Sequence, residues 1–432
     1  MGAVFSKERL IEELDQCPSY EGIDPTELAD KLSVLFEIGK TPEGGITRFP
    51  YTKEENEAKA IFKSWMIEAG LEIREDAIGN LFGTLQGTSR ELPVVMTGSH
   101  LDSVPNGGAF DGPLGCLSSL LAIKAIASKE EKPKRSIELA VFVDEEGARF
   151  KNGIFGSRVM MGEVGASDFK SFKDDNDNVL YDEMVRCGHD PERVQDSYRK
   201  PEDIYAFLEL HIEQGKRLES EGKDIGIVSG IAGPSWTSFT FLGETDHAGN
   251  TPMNFRRDTL AAAAEFILKV EQAPPRFSHT AVATVGKINV FPNGTNVISG
   301  KTEVIVDARD IDLEARDAMI ASLKDEAVNL SKERGVVVDI KDGINIAPVI
   351  VPDHIQEVIQ TSAKASGLTS LSLPSGAGHD AMTLGKYVPS GMIFVPSLNG
   401  KSHSPEEWTS LPDCVRGVKV MKESLDQLAN RI

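Results

Sequence analysis

The stretch VVMTGSHLDSVPNGGAFDGPLG, residues 94–115, constrains this 432-residue chain more than any other. An apolar, β-branched run ends at His100, a glycine-rich loop follows, and Asp111 then stands before LGCLSSLLAIKAIAS, whose apolar spacing is helical. Strand, loop and helix in that order make the unit of an α/β sheet, and open sheets keep their ligands at the carboxyl ends of their strands. His100 and Asp111 therefore fall on a ligand-binding edge. Each alone is as readily a turn histidine or a helix-start aspartate.

The design recurs. ELAVFV ends in Asp144, Glu145 and Glu146, and IYAFLELHIEQG ends in His211, Glu213 and Gln214. Of the eight histidines, His100, His211 and His403 sit at or just beyond candidate strand ends, alongside Asp111 and Glu146. Imidazole nitrogen and carboxylate oxygen without thiolate form the ligand mix of a catalytic divalent-metal site. One carboxylate between two such half-sites can bridge two ions about 3.5–4 Å apart. Adjacent residues at a strand end diverge, so one member of Glu145-Glu146 can bind metal while its neighbour works as a general base. An isolated pair of glutamates is ordinarily a solvated acidic turn, and its position after an apolar strand reverses that preference.

Composition narrows the function classes. Asp and Glu number 67 against 46 Lys and Arg, a formal charge of −21, which disfavours nucleic acid or an anionic membrane as the main partner. The four cysteines, Cys17, Cys116, Cys187 and Cys414, lack CxxC spacing, so neither a thiolate metal site nor a disulfide framework is expected, and a reducing, cytoplasmic location fits. No apolar run reaches the roughly 18 residues of a membrane span, and no basic-then-apolar leader opens the chain. The opening MGAVFS matches the short acylation pattern of Gly2 followed by Ser6, without a supporting basic stretch.

The length suggests more than one domain. From about residue 233 the texture changes: WTSFTFLG, RRDTLAAAAEFILKVEQA, TAVATVGKINVFP, KTEVIVDARD, DLEARDAMIASLKDEAVNLSKERG and VVVDIKD give the order β-α-β-β-α-β, the split pattern of a ferredoxin-like domain. The expected organisation is an α/β catalytic domain in two parts, residues 1–232 and 347–432, interrupted by a compact domain at 233–346. The polar segment 167–203 is expected to form surface helices and loops.

Six motifs, GSHLDSVPNGGAFDGPLG, DEEGARF, ELHIEQG, DHAGNTPM, SGAGHD and SHSPEEW, together resemble the amidase/carbamoylase branch of the M20 family of dinuclear metallohydrolases. That branch includes N-carbamoyl-L-amino acid hydrolase, β-ureidopropionase and allantoate amidohydrolase. The resemblance runs from about residue 35 onward, in family order. It implies a metallopeptidase-like catalytic domain with an inserted ferredoxin-like dimerisation and lid domain. It implies two divalent ions (Zn, Mn, Co or Ni), with Asp111 bridging, His100 and His211 completing one site, and Glu146 and His403 the other. Glu145 would be the general acid/base. His247 would stabilise the oxyanion from the partner subunit of a homodimer, Asn296 and Arg309 would bind the substrate carboxylate, and Gln214, His379 and Gly378 would line the pocket. His211 stands where M20 peptidases usually carry an acid, which favours carbamoyl and ureido hydrolases over peptidases. The branch commonly has Leu where Ala308 stands between Asp307 and Arg309.

The expected activity is hydrolysis of the carbamoyl C–N bond of N-carbamoyl-L-amino acids, with domain closure assembling the site. Allantoate amidohydrolase and β-ureidopropionase compete with it, as does a catalytically silent metal-binding scaffold, which would have no need of Glu145. Side-chain pocket shape, set by tertiary packing, decides among the substrates.

Overall fold

The computed structural model describes residues 4–431, and the Gly2 acylation pattern lies outside the described residues. The chain divides into two compact units. The first comprises the chain up to Ser229, Val351–Leu373 and the stretch from His379 onward; the second comprises Gly230–Ile350 and Pro374–Gly378.

The strands of the first passage are β1 (Glu72–Glu75), β2 (Leu81–Leu85), β3 (Val94–His100), β4 (Ile137–Phe142), β5 (Ile204–Ile212) and β6 (Ile225–Ile231). There follow β7 (Gly233–Leu242), β8 (Val282–Phe291), β9 (Lys301–Asp310), β10 (Val337–Asn345) and β11 (Val349–Ile350), then β12 (Ser370–Ser375) and β13 (Ser390–Val395). The sheet of the first unit runs β1-β2-β4-β3-β5-β13-β6. Its centre, β4-β3-β5-β13, is parallel, while β1, β2 and β6 join antiparallel at the margins. Parallel strands are covered on both faces, which is why ELAVFV and FLELHI are almost continuously apolar and β4 is buried along its whole length. The helix Pro113–Ala127 is apolar on nearly every side and buried accordingly, packing on β3, β5 and the last helix, Leu411–Asn430.

The N-terminal segment is anchored in this unit. Phe5 packs on Phe36, Phe110 and Trp408 at centroid separations of 4.3, 5.7 and 5.8 Å, and the Trp408 Nε1–H donates to Glu13. The polar segment 167–203 is more than surface. Phe169, Leu180, Met184 and Val194 bury themselves with Tyr51, Phe150 and Phe155 in a small core of their own. Its apolar residues are too widely spaced, on helices too short, to give a periodic signal.

The second unit is a four-stranded antiparallel sheet, β10-β7-β9-β8, with the helices Thr259–Gln272 and Leu313–Glu333 packed through Phe239, Phe241, Phe266, Val304, Val306, Met319 and Leu323. Asp258 and Asp312 cap the two helices by accepting the N–H groups of Leu260 and Ala315. Strand order and β-α-β-β-α-β connectivity are ferredoxin-like. Along β9, Thr302, Val304, Val306, Ala308 and Asp310 are buried, and the alternate Asp307 and Arg309 share the other face. Among the described residues no helix is long and apolar enough to cross a membrane.

Candidate active site

Three parallel strands converge at one end. His100 closes β3, His211 is the penultimate residue of β5, and Glu145 and Glu146 follow β4. The loop after β3 carries Asp111 back over this edge through a sharp turn at Gly112. Its φ is +83°, and a Cβ there would lie 2.4 Å from the His100 ring, so no other residue lets the turn pass so close.

Asp111 is the hub. Its Oδ1 lies 3.2 Å from His211 Nε2 and 3.6 Å from His100 Nε2, and its Oδ2 lies 3.4 Å from His403 Nε2. His403 Nε2 is in turn 3.5 Å from Glu146 Oε2. The two carboxylate oxygens thus face two separate ligand sets, His100–Asp111–His211 and Asp111–Glu146–His403, each with its donor atoms close enough to hold one ion. A third such group, Glu209–His211–His379, shares His211, but Glu209 already accepts from Ser99 Oγ and the Ala381 N–H.

Backbone carbonyls fix the orientation of two of the histidine rings. His100 Nδ1 sits 3.1 Å from the Asp102 carbonyl oxygen and His211 Nδ1 3.0 Å from that of Ile212. A carbonyl can only accept, so Nδ1 carries the proton in both rings and Nε2 faces Asp111. His100 Nε2 is buried without a hydrogen-bond partner. The electrostatics also call for positive charge. Burial, partly offset by His100 and reinforced by Glu146, pushes the Glu145 carboxyl well above its usual range, and burial beside Asp111 brings Glu146 to about 7. Burial would raise Asp111 too, yet His211, His100 and His403 hold it well below the usual carboxylate range. These N and O donors, with acids in excess around an unpartnered imidazole nitrogen, fit a pair of divalent cations.

Glu145 Oε2 lies 3.7 Å from His100 Nε2, beside the hub and not within either ligand set. Asp102 holds the acidic pair from behind, accepting the Glu145 N–H on Oδ1 and the Glu146 N–H on Oδ2. Asp144, Gln214 and His403 all adopt positive φ, 54–56°, a clustering of uncommon backbone that marks functional loops.

Of the residues expected in the pocket, Gln214 donates to Asp111 Oδ2 at 2.7 Å, and His379 packs on the His211 ring at 4.4 Å, where burial pulls its pKa well down. Gly378 ends the short loop before the helix Asp380–Leu384. The sequence reading missed Ser402 and Glu407, although both lie in the SHSPEEW motif. Ser402 Oγ lies 2.8 Å from Asp111 Oδ2 and 3.0 Å from Glu407 Oε2, its single proton bridging the two carboxylates, while Glu407 Oε1 accepts the N–H groups of Phe110 and Asp111 at 2.8 and 3.0 Å. Glu407 therefore ties the Asp111 loop to the His403 loop. Gly108 makes room for it, since a Cβ there would meet Glu407 Oε1 at 2.1 Å.

In the second unit His247 and Asn296 are neighbours. The Ala248 N–H donates to the Asn296 carbonyl at 3.0 Å, and His247 pairs with Val297 as an isolated bridge. His247 Nδ1 accepts the N–H groups of Gly249 and Asn250 at 3.0 and 3.2 Å, which leaves the proton on Nε2 and makes that atom a donor. Arg309 donates to Asp307 and to the carbonyl of Gly376, which lies in the same unit.

The family model described as peptidase family M20/M25/M40 matches residues 96–427. An N-carbamoyl-L-amino acid amidohydrolase of Geobacillus stearothermophilus is 42% identical over 402 residues, covering 93% of this chain and 98% of the relative. An allantoate amidohydrolase of Escherichia coli K12 is 37% identical, covering 93% and 97%. The crystal structure of a hydantoinase/carbamoylase family amidase from Burkholderia multivorans superposes with a TM-score of 0.89 at 32% identity, covering 95% of this chain and 98% of that one. A family model that spans most of the chain and relatives matched over nearly their whole length show that the chain belongs to the peptidase family M20/M25/M40.

Proposed function

We propose that this protein hydrolyses the carbamoyl C–N bond of N-carbamoyl-L-amino acids. The observation that carries the reading is the division of the two Asp111 oxygens between two imidazole–carboxylate sets, with the uncommitted Glu145 beside them, in a chain 42% identical to an amidohydrolase of that class. His100, Asp111 and His211 would hold one divalent ion, and Asp111, Glu146 and His403 the other, with Zn, Mn, Co or Ni all suited to the donors. Bound there, the pair would supply Lewis acidity toward the carbamoyl oxygen and toward water.

The residues of the chain do the rest. Glu145 takes the proton from the attacking water and returns it to the departing amine nitrogen. The Nε2–H of His247 donates to the oxyanion, a preorganised contact of the kind that dominates many rate enhancements. Arg309 and Asn296 bind the substrate carboxylate, and Gln214, His379 and Gly378 line the pocket. The amino acid leaves with a hydrogen on its nitrogen, and the carbamate formed from the carbamoyl group and water breaks down to carbon dioxide and ammonia. In this reading the inserted domain of 233–346 also pairs two copies of the chain as a homodimer.

Hydrolysis of allantoate is the second reading, favoured by the relative of that name at 37% identity. Ammonia release by the metal-reconstituted protein tests both. A panel of N-carbamoyl-L-amino acids, N-carbamoyl-β-alanine, allantoate and N-acetyl amino acids is expected to give turnover on the first group. Glu145→Ala should lose it by about 10³-fold, within the range of a general acid/base. Turnover of allantoate alone would move the protein to ureide breakdown, and none on any substrate with two ions bound would leave the silent scaffold.

A further inference from the structure

The geometry points to Asp307 as a positioning residue that aims Arg309 at the substrate carboxylate, with the Gly376 carbonyl as its second support; the inference rests on the reading of Arg309 given above. Asp307 and Arg309 stand two residues apart on β9, the strand between β7 and β8, and so on one face of the sheet. The residues directly opposite Arg309, Pro234 on β7 and Val282 on β8, have no side-chain acceptor to offer. Asp307 supplies it. Arg309 Nε lies 3.0 Å from Asp307 Oδ1 and Nη2 2.8 Å from Oδ2, a two-point contact, and Nη1 donates to the Gly376 oxygen at 2.8 Å.

A guanidinium has five N–H groups in a rigid plane. Asp307 and Gly376 take three, leaving one on Nη1 and one on Nη2. That remainder is the complement for a second, two-point carboxylate contact. Holding a long, flexible arginine in one orientation before the substrate arrives lowers the entropy cost of binding. Asp307 also brings a negative charge near the incoming carboxylate, which opposes binding. Its side chain is 28% and that of Arg309 29% accessible, so water screens the repulsion, whereas the orientation it imposes is undiminished. Partly exposed pairs of this kind contribute little to stability, so replacing Asp307 should leave the fold intact.

The test compares Asp307→Asn, Asp307→Glu, Arg309→Ala and the double variant Asp307→Asn/Arg309→Ala on an N-carbamoyl-L-amino acid and on its carboxamide. Dissociation constants measured in a Glu145→Ala background separate binding from turnover. Asp307→Asn is expected to raise KM and Kd on the order of 10-fold for the carboxylate substrate with kcat held within about twofold, the pattern of lost ground-state binding. Asp307→Glu should recover part of the loss. No change is expected on the carboxamide, and none beyond Arg309→Ala in the double variant. An unchanged or lowered KM for Asp307→Asn, where Arg309→Ala does raise KM, overturns the positioning role and leaves the carboxylate reading standing. A loss of equal size on the carboxamide overturns it as well. If Arg309→Ala itself leaves KM and Kd unchanged, the carboxylate reading is what fails.

Discussion

The two units expose their chemistry differently. In the first, His100, His211, Asp111 and Glu145 are buried at the ends of parallel strands, each oriented by a backbone carbonyl, a backbone N–H or a neighbouring carboxylate. In the second, His247 and Asn296 are exposed on loops, held by backbone N–H groups and by each other. Fixed geometry in the first comes from the sheet, and in the second from local turn chemistry. The contrast teaches that a ligand cluster needing several converging donors is built where strands converge, whereas a single donor can be placed by a turn of four residues.

Substitutions can break or sharpen that contrast. The largest effect is expected at the hub: Asp111→Asn should remove bound metal and turnover together, because one oxygen of each ligand set loses its charge, and metal analysis of the dialysed protein checks it. His247→Ala should instead lower kcat by about 10²–10³-fold, as for loss of one oxyanion donor, while metal content stays unchanged. Mixing it with Glu145→Ala should restore partial activity where His247 serves across subunits. A loss of metal in His247→Ala would erase the distinction between the units.

Glu407 ranks next. Glu407→Ala leaves the Phe110 and Asp111 N–H groups buried without their acceptor, at roughly 1–3 kcal/mol each. The denaturation midpoint and metal affinity should both fall. Glu407→Gln keeps an acceptor oxygen and should fall less, and equal losses in the two variants would mean that charge rather than loop geometry matters.

The smallest effect is at His189, far from this chemistry in sequence and assigned no role. Burial, with Lys59 nearby, lowers its pKa to about 4. The unfolded chain therefore binds a proton near pH 6.5 that the folded chain refuses until about pH 4. Its contribution to stability is whole above pH 6.5 and is lost as the pH falls through that window. His189→Gln should flatten the urea midpoint between pH 7 and pH 5, and an unaltered slope would rule the residue out.

The contrast also explains what could be read from the sequence. Strands ending in His, Asp or Glu are local patterns, so β3, β4 and β5 with their ligand-type residues were legible, as was the β-α-β-β-α-β order. Glu407 was not, because its partner Phe110 is 297 residues away and no local pattern distinguishes a clamp from a surface acid. The same holds for Phe5 on Trp408, and for Asp307, whose value lies in where Arg309 points. His247 and Arg309 carried meaning only through the family resemblance, since a loop histidine and a strand-end arginine are ordinary.

The helix Pro113–Ala127 has a consequence for how the protein is made. Apolar on almost every side, it needs cover, and part of that cover is Leu411–Asn430, which lies beyond the inserted unit in the chain. The inserted unit, by contrast, has its four strands and both helices in hand by Asn345. Domains fold as units during synthesis, so the insertion can mature first while the unit that surrounds it in sequence waits, with one side of its central helix uncovered, for Leu411–Asn430 to be made. Over that interval the apolar segment that follows Asp111 lacks the cover of its last partner.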